Sequence, residues 1–141
     1  MSLHTNTGRC DYCIKIIDRY PNFNLELRDW FKKLQSAHPE AHTSCAGRGR
    51  MDQEAAFIRR SSRAHYGKSS HNFNAAIDLF KWAATIEEMY SKDWFEKVVA
   101  PALTSNLDWY GSPNASFYEL PHVELKNWKA MVQTGLLKIV E

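Results

Sequence analysis

Two histidines and one aspartate are candidate ligands of a metal ion. His71 and Asp78 lie in the segment S-S-H-N-F-N-A-A-I-D-L-F, residues 69–80, where the apolar residues around Asp78 predict a short buried strand. A carboxylate inside such a strand is costly unless a positive charge meets it. His122 begins a second short apolar run after Pro121. Imidazole and carboxylate ligands together suit zinc, and three protein ligands leave one coordination position for water, as in catalytic zinc sites.

Each of these residues also has an ordinary interpretation. A single histidine beside a strand is more often a hydrogen-bonded core or surface residue than a metal ligand. Asp78 could cap a turn or pair with one of the eighteen Lys and Arg side chains. The residues alone leave these alternatives open.

Two glutamates are candidates for a general base. Glu119 lies three residues before His122, across a proline that stiffens the backbone, so that a base and a ligand could face the same metal ion. A carboxylate near zinc can take a proton from water and pass it to a leaving amine. Glu124 is the rival, because its side chain would share the face of His122 if residues 123–125 form a strand. Glu119 could instead be a solvent-facing loop carboxylate, and Glu124 could be a support or an ion-pair partner.

The turn A-G-R-G-R contains two arginines, Arg48 and Arg50. A guanidinium beside a zinc site could hold a substrate carboxylate or a developing oxyanion. Both residues could equally be solvated loop charges. His65, in the loop before His71, could contact substrate or act as a decoy ligand.

The three cysteines cannot all pair, so the chain is not a disulfide scaffold, and synthesis in a reducing compartment is expected. Cys10 and Cys13 have the C-x-x-C spacing of half a zinc knuckle, but Cys45 is the only other cysteine and no second pair exists. Cys13, on an apolar helix face, is expected in the core. His4, His38 and His42 are interpreted as surface or turn residues. We therefore expect one zinc ion and no second, structural metal.

The elements that must position these residues are predicted from apolar spacing and from capping residues. Helices are predicted over residues 8–20, 25–37, 52–60 and 125–134 and from Ser91 onward, with Asn24 and Asp52 as caps, and strands over 41–46, 76–80, 107–111 and 123–125. The secondary structure of residues 82–90 is ambiguous from the sequence. Helices around a few short strands, without strand–helix alternation, indicate an α+β fold in which a small antiparallel sheet carries the zinc site.

Length and net charge narrow the range of possible functions further. The 141 residues suit a single domain, residues 1–141, with residues 1–8 as a loose tail. A net charge of +2 is too small to indicate nucleic-acid binding, although it would help the approach to an anionic wall polymer. The sequence contains neither a signal-peptide core nor an apolar run of about 18 residues, so we expect a chain made in the cytoplasm with no membrane span. We also expect a monomer.

Four segments occur in one order: C-A-G-R-G-R-M-D-Q, S-S-H-N-F-N-A-A-I-D, L-D-W-Y-G and E-L-P-H-V-E-L. Over about residues 43–125 they resemble the zinc D-Ala-D-Ala carboxypeptidase and L-alanyl-D-glutamate endopeptidase family, which includes vancomycin-resistance dipeptidases and many phage endolysins. The family pattern is S-x-H-x-x-G-x-A-x-D followed by E-x-x-H. Asn74 stands where the pattern has Gly, and asparagine tolerates a left-handed backbone well, so the turn is expected to survive.

The resemblance implies His71, Asp78 and His122 as the ligands of one zinc ion, and Glu119 as the catalytic acid and base. It implies the substrate- and transition-state-binding role for Arg48, which the spacing to Gln53 favours over Arg50. The remaining candidates for substrate contact or its support are Gln53, Ser69 and Trp109 by the resemblance, and His65 by its place in the loop.

The function that the resemblance implies is a zinc peptidase that cleaves the stem peptide of peptidoglycan. The small size and the absence of a wall-binding module resemble an endolysin of phages with Gram-negative hosts, which reaches the wall through a hole made by a holin-type partner. That context favours an L-alanyl-D-glutamate endopeptidase over a D-Ala-D-Ala carboxypeptidase or dipeptidase. The alternatives are a non-catalytic zinc-containing binding domain, as hedgehog-type domains resemble this family, and a structural domain without metal.

Overall fold

The computed structural model describes residues 3–141 and contains one four-stranded sheet. The strands are β1 (Ala41–Cys45), β2 (Ala76–Lys81), β3 (Leu107–Trp109) and β4 (His122–Leu125). Their order across the sheet is β1-β2-β4-β3, and each neighbouring pair is antiparallel. The predicted α+β class with a small antiparallel sheet is confirmed.

The helices in residues 3–141 are mostly short. They are α1 (Asp11–Ile17), α2 (Leu25–Ala37), α3 (Arg50–Ile58), α4 (Ile86–Met89), α5 (Lys92–Trp94), α6 (Ala100–Ala102) and α7 (Trp128–Gln133). A 3-10 helix spans Ser70–Phe73 and a π-helix spans Phe95–Val99. Within the described part of the chain, every helix falls short of the length and apolarity that crossing a membrane requires.

Helix α2 has the bounds that its sequence predicts. The Asn24 side chain accepts a hydrogen bond from the backbone N of Leu27 at 3.0 Å, which satisfies one of the amide groups left free at a helix start. The apolar side chains that recur every three or four residues are the buried ones: Leu27, Trp30, Phe31 and Leu34. The helix ends at Ala37, shortly before a proline.

The buried face of α2 joins α1 and the sheet in one apolar core. Ile17 of α1, Phe31 of α2, Ile77 and Leu79 of β2, and Val123 of β4 are each at most 1% exposed. Burial of one such side chain stabilises a protein by about 1.5–3 kcal/mol. The core therefore holds β2 and β4, the two strands that carry the site, in a fixed register.

Helix α3 begins earlier than predicted, at Arg50, and the expectation that Asp52 caps it is wrong. Gly49 occupies the capping position and Asp52 lies in the first turn. The Asp52 carboxylate instead accepts a hydrogen bond from the Tyr20 hydroxyl at 3.0 Å and pairs with Arg19 at 2.9 Å. A carboxylate that is engaged in these contacts is still favourable near a helix N-terminus, because the helix dipole is positive there.

The helix predicted from Ser91 is confirmed, with an irregularity before its proline. The chain is helical from Lys92 to Ala102, but the stretch Phe95–Val99 widens into a π-helix. Pro101 has no backbone N–H and its ring collides with the carbonyl four residues earlier, so the helix adjusts just before it. In the ambiguous segment 82–90, only Ile86–Met89 is helical.

Residues 3–8 form neither helix nor strand, yet they contact the rest of the molecule. The His4 ring lies edge-on to the rings of Tyr12 and His42, with centroid distances of 4.7 Å and 4.9 Å. The Asn6 side chain contacts His42 at 2.6 Å. The prediction of a loose tail is therefore wrong for His4 and Asn6, and it cannot be applied to Met1 and Ser2, which lie outside the described residues.

Candidate metal centre and cleft

The strand register brings Asp78 and His122 side by side. Asp78 in β2 is paired with Cys45 of β1 on one side and with His122 of β4 on the other. Residues directly opposed in antiparallel strands project from the same face of a sheet. One row across the sheet therefore presents a thiol, a carboxylate and an imidazole that are far apart in the sequence.

His71 reaches the same place from the 3-10 helix before β2. The Ser69 hydroxyl caps this helix by accepting a hydrogen bond from the backbone N of His71 at 3.2 Å. Asn74 ends the helix in a left-handed conformation, with φ 55° and ψ 34°. The sequence-based expectation that asparagine preserves this turn is confirmed, and the turn lets His71 meet Asp78 in the following strand.

Both imidazoles contact one oxygen of Asp78. His71 Nε2 and His122 Nδ1 each lie 3.2 Å from Asp78 Oδ1. Zinc–nitrogen and zinc–oxygen bonds of about 2.0–2.2 Å imply ligand-to-ligand distances of about 3.3–3.6 Å in a tetrahedral site, close to the two distances here. The donor types and these two distances are therefore those of neighbouring zinc ligands, for His71 with Asp78 and for His122 with Asp78.

The second nitrogen of each imidazole is held by a buried acceptor. His71 Nδ1 donates a hydrogen bond to the Ala46 carbonyl at 2.7 Å, and His122 Nε2 donates to Glu124 Oε1 at 2.7 Å. In metal sites such outer hydrogen bonds fix which ring nitrogen carries the proton. They leave the nitrogens nearest Asp78 with a lone pair for a metal ion.

Glu124 is a support for His122 and is not placed as a free base. Its carboxylate also accepts hydrogen bonds from the Ser70 hydroxyl at 2.8 Å, the Tyr110 hydroxyl at 2.8 Å and Trp128 Nε1 at 2.9 Å. The residue is only 6% exposed. With His122, four donors satisfy the two oxygens of Glu124. Of the alternatives that the sequence leaves open, the structure therefore favours a support over a general base.

Three pKa shifts describe the charge at this site. Burial alone would raise the pKa of Asp78, but the imidazoles of His71 and His122 outweigh it and hold this pKa far below its usual range. Burial alone would lower the pKa of His71, yet Asp78 and Cys45 raise it well above its ordinary value. Asp78 and Glu124 likewise raise the pKa of His122 to about 9 against the effect of its burial. The carboxylates therefore favour positive charge between them, as a divalent cation requires.

Arg48 lies beside the donors, whereas Arg50 does not. Arg48 Nη2 lies 3.8 Å from Asp78 Oδ2 and donates a hydrogen bond to Cys45 Sγ at 3.3 Å. The guanidinium of Arg50 stacks over the Tyr66 ring at 4.4 Å. Arg48 also lines the cleft described below.

Gln53 lies behind Arg48 and is fully buried. Its Oε1 accepts hydrogen bonds from Arg48 Nη1 at 3.0 Å and from Asn72 Nδ2 at 3.2 Å. Its Nε2 donates to the Ser62 hydroxyl at 2.9 Å and to the Ala64 carbonyl at 2.6 Å. Gln53 is therefore placed to orient Arg48 and has no exposed atom with which to contact substrate.

Trp109 and His65 lie away from the donors. Trp109 is 6% exposed, and its Nε1 donates a hydrogen bond to the Leu120 carbonyl at 2.7 Å, so it belongs to the core beneath the cleft loop. His65 is exposed, stacks on Phe57 with a centroid distance of 3.7 Å and contacts Glu54 at 2.9 Å. Neither residue lines the cleft.

The donors open onto a cleft with a volume of about 340 Å³. His71 and His122 line it together with Arg48, Ser69 and Glu119. The half-buried Glu119 lies in the loop between β3 and β4, where its backbone N donates to the Tyr110 carbonyl at 2.9 Å. Of the nine residues that the sequence singles out, the structure thus brings His71, Asp78, His122, Arg48, Ser69 and Glu119 to one place.

Four residues at this site escaped the sequence analysis: Cys45, Ser70, Tyr110 and Trp128. Strand alternation could have found Tyr110. Trp109 pairs with Val123, which faces the core, so the next residue belongs to the face of His122 and Glu124. Cys45 had no local signal, because only the strand register brings its ligand atom within 4.8 Å of those of His71 and Asp78.

A second group of donors lies elsewhere. One ligand atom from each of His4, Cys10, Cys13 and His42 lies within 4.8 Å of the others, and this group could bind a metal ion. The sequence-based interpretation of His42 as a surface or turn residue is wrong, because it is fully buried in β1. That of His4 as a surface residue is wrong as well, because it is half-buried against Tyr12 and His42.

Comparison with known proteins gives a likeness in fold. The crystal structure of Serratia marcescens L-Ala D-Glu endopeptidase ChiX is similar, with a TM-score of 0.64 over 84% of this chain and 89% of that chain. The two sequences are 14% identical, so the likeness establishes the fold. No protein-family model and no curated protein sequence matches this chain.

Proposed function

We propose that this chain is a zinc-dependent peptidoglycan peptidase of the L-alanyl-D-glutamate endopeptidase type. The observation that carries the proposal is the contact of two imidazoles with one Asp78 oxygen, each at 3.2 Å, beside a cleft. The likeness in fold to an L-Ala D-Glu endopeptidase supports it.

His71, Asp78 and His122 would hold the ion. When bound, zinc supplies Lewis acidity, which polarises a peptide carbonyl and makes water a better nucleophile at neutral pH. The Ala46 carbonyl and the Glu124 carboxylate keep the two rings in their orientation. With three protein ligands, the site keeps room for substrate.

Glu119 would serve as general base and then as general acid. It lines the cleft with both imidazoles, and its carboxylate has no hydrogen-bond or ion-pair partner among residues 3–141. It is therefore available to take a proton from water and to give it to the leaving amine. Glu124 lacks this freedom, because four donors already occupy it.

The charge of the cleft suits an acidic peptide. Its lining includes five cationic side chains, Arg48, Arg60, Arg63, Lys68 and Lys129, and two acidic ones, Glu119 and Glu124. A stem peptide carries carboxylates on its D-glutamate and at its C-terminus. Arg48 would bind one of them or the oxyanion that develops on the scissile carbonyl, because a guanidinium pairs well with such groups.

The proposal is tested by digesting purified peptidoglycan with the native chain and with Glu119→Gln. We expect the rate of fragment release to fall by about 10²–10⁴-fold, the usual contribution of a general acid and base, with bound zinc unchanged. Glu87→Gln, an exposed carboxylate on α4, is the matched control and should digest at the native rate. Full activity of Glu119→Gln would remove Glu119 from the mechanism.

We extend the proposal to the biological setting of a phage endolysin that is made in the cytoplasm and reaches the wall after holin-type release. Expression in a Gram-negative host should then cause lysis only when a holin is expressed with it. A D-Ala-D-Ala carboxypeptidase would instead release D-alanine from the same polymer, and a non-catalytic zinc-containing domain would bind the polymer without cutting it.

A further inference from the structure

We infer that His4, Cys10, Cys13 and His42 form a structural zinc site that fastens the N-terminal segment to β1. The four residues come from three parts of the chain: the irregular segment 3–8, the start of α1, and β1. The inference concerns metal binding and stability, so it is independent of the peptidase activity.

The donor spacing fits a tetrahedral zinc ion. His4 Nδ1 lies 3.4 Å from Cys10 Sγ and 3.3 Å from Cys13 Sγ. His42 Nδ1 also lies 3.3 Å from Cys13 Sγ. Zinc–sulfur bonds of about 2.3 Å and zinc–nitrogen bonds of about 2.0–2.1 Å imply a sulfur-to-nitrogen distance of about 3.5 Å in a tetrahedron.

Hydrogen bonds alone account poorly for this convergence. His4 Nδ1 approaches two sulfurs, but a ring nitrogen has either one proton or one lone pair to offer. Cys13 Sγ in turn approaches two ring nitrogens, and a thiol has one proton. One cation at the centre satisfies all four donors together.

The orientation of His42 is set for ligation. Its Nε2 donates a hydrogen bond to the side-chain oxygen of Asn6 at 2.6 Å. The proton is therefore on Nε2, and Nδ1 directs its lone pair toward Cys13 Sγ. This is the same arrangement by which outer acceptors orient metal-binding histidines in general.

Both sulfurs accept hydrogen bonds from N–H groups. The backbone N of Thr5 donates to Cys10 Sγ at 3.5 Å. The backbone N of Thr43 and Nε2 of Gln35 donate to Cys13 Sγ at 3.5 Å and 3.6 Å. Such donors stabilise the thiolate, which is the form of cysteine that binds zinc.

Burial indicates a structural role for this site. Cys10, Cys13 and His42 are each 0% exposed, and His4 is half-buried between the rings of Tyr12 and Phe80. Four protein donors complete a tetrahedral coordination sphere and leave no position for water or substrate. The ligands come from both ends of the segment 4–42, so the site forms only when this segment is folded. The free energy of zinc binding therefore adds to the stability of the folded chain.

Zinc stoichiometry of the full chain tests the inference. We expect two zinc ions per native chain, one in Asp78→Asn, one in Cys13→Ser and none in the double variant. A native chain with a single zinc ion that is absent from Asp78→Asn would overturn the inference. So would a disulfide between Cys10 and Cys13 in the purified native chain, because a disulfide sulfur cannot bind zinc as a thiolate.

A spectroscopic measurement keeps the test valid if Cys13→Ser does not fold. Cobalt(II) bound by cysteine gives a thiolate-to-cobalt charge-transfer absorption that nitrogen and oxygen donors do not give. We expect this band in the cobalt-loaded native chain, with equal intensity in Asp78→Asn and in Cys45→Ser, which removes the thiol beside the cleft. No band in the native chain, or loss of the band in Cys45→Ser, would contradict the inference.

Discussion

Strand β1 links two groups of metal-binding side chains that differ in number, chemistry and access. His42, near its start, belongs to the N-terminal group with His4, Cys10 and Cys13. Cys45, at its end, has a ligand atom within 4.8 Å of those of His71 and Asp78, which form the cleft group together with His122. The N-terminal group offers nitrogen and sulfur from four residues. The cleft group offers nitrogen and oxygen from three residues and adjoins a cavity of about 340 Å³. Donor count and access thus distinguish the structural role that we infer for the N-terminal group from the catalytic role that we propose for the cleft group.

The two groups also shift the pKa of a buried histidine in opposite directions. Burial, helped by the neighbouring His4, lowers the pKa of His42 to about 4. His122 is buried too, yet Asp78 and Glu124 raise its pKa to about 9. The difference comes from direct contacts, because Asp78 and Glu124 both contact the ring of His122, whereas the thiol of Cys13 contacts the ring of His42.

The largest expected effect comes from Asp78→Asn, which breaks the cleft group alone. Asp78 contacts both imidazoles, so its loss should cost more than the roughly 100-fold that removal of an outer partner costs. We expect peptidoglycan digestion to fall to background while one zinc ion remains bound. Asp108→Asn, a half-exposed carboxylate on β3, is the control. Native-like digestion by Asp78→Asn would separate the activity from the cleft group.

A large effect is also expected from Arg48→Ala, and almost none from Arg50→Ala. Arg48 lines the cleft beside Asp78, whereas Arg50 stacks on Tyr66. Loss of one group that stabilises an oxyanion costs about 10²–10³-fold in rate. Steady-state digestion rates of the two variants measure the difference, and equal rates would show that Arg48 does not act on substrate.

A smaller effect, on zinc affinity at the cleft, is expected from Glu124→Gln. The variant keeps the side-chain shape but removes the negative charge that orients His122. Outer hydrogen-bond partners of metal ligands contribute about 10–100-fold to affinity or activity. We expect zinc affinity at the cleft to fall in this range while the N-terminal ion stays bound. Native zinc affinity in Glu124→Gln would mean that Ser70 and Asp78 suffice to orient the ring.

The smallest effect on activity is expected from Asn6→Ala, which weakens the N-terminal group. Without the acceptor at 2.6 Å, His42 loses the contact that orients its ring. We expect a lower midpoint of thermal unfolding and less than about a twofold change in digestion rate, because Asn6 does not line the cleft. Asn106→Ala, an exposed amide, is the matched control. An unchanged midpoint in Asn6→Ala would argue that this group adds no stability.

The sequence predicts the cleft group better than the N-terminal one for a physical reason. His71 and Asp78 lie close together in a segment with a recognisable strand pattern, and the E-x-x-H spacing marks His122. His4 and His42 lie 38 positions apart and lack any shared pattern, so only the packing of the segment before α1 against β1 brings them together. The C-x-x-C pair was visible, but its two partners were not.

In the fold as well, local sequence predicts single elements but misses contacts between residues that are distant in the chain. The spacing of Leu27, Trp30 and Phe31 and the cap at Asn24 predict α2 to the residue. Asp52 has the type of a helix cap but is engaged by Tyr20 and Arg19, and such long-range contacts are not visible in local sequence. The family resemblance singles out Trp109, but Trp109 is buried in the core and Tyr110 is the ring that contacts Glu124 at the site.

The identity of the amine released from peptidoglycan tests the central claim most directly. Purified polymer is digested with the zinc-loaded native chain, the fragments are weighed, and their new amino-terminal residue is determined. We predict a free α-amino group on D-glutamate, produced by the native chain and not by Asp78→Asn. Polymer that stays intact in the presence of the zinc-loaded native chain would contradict the claim that this cleft hydrolyses the stem peptide.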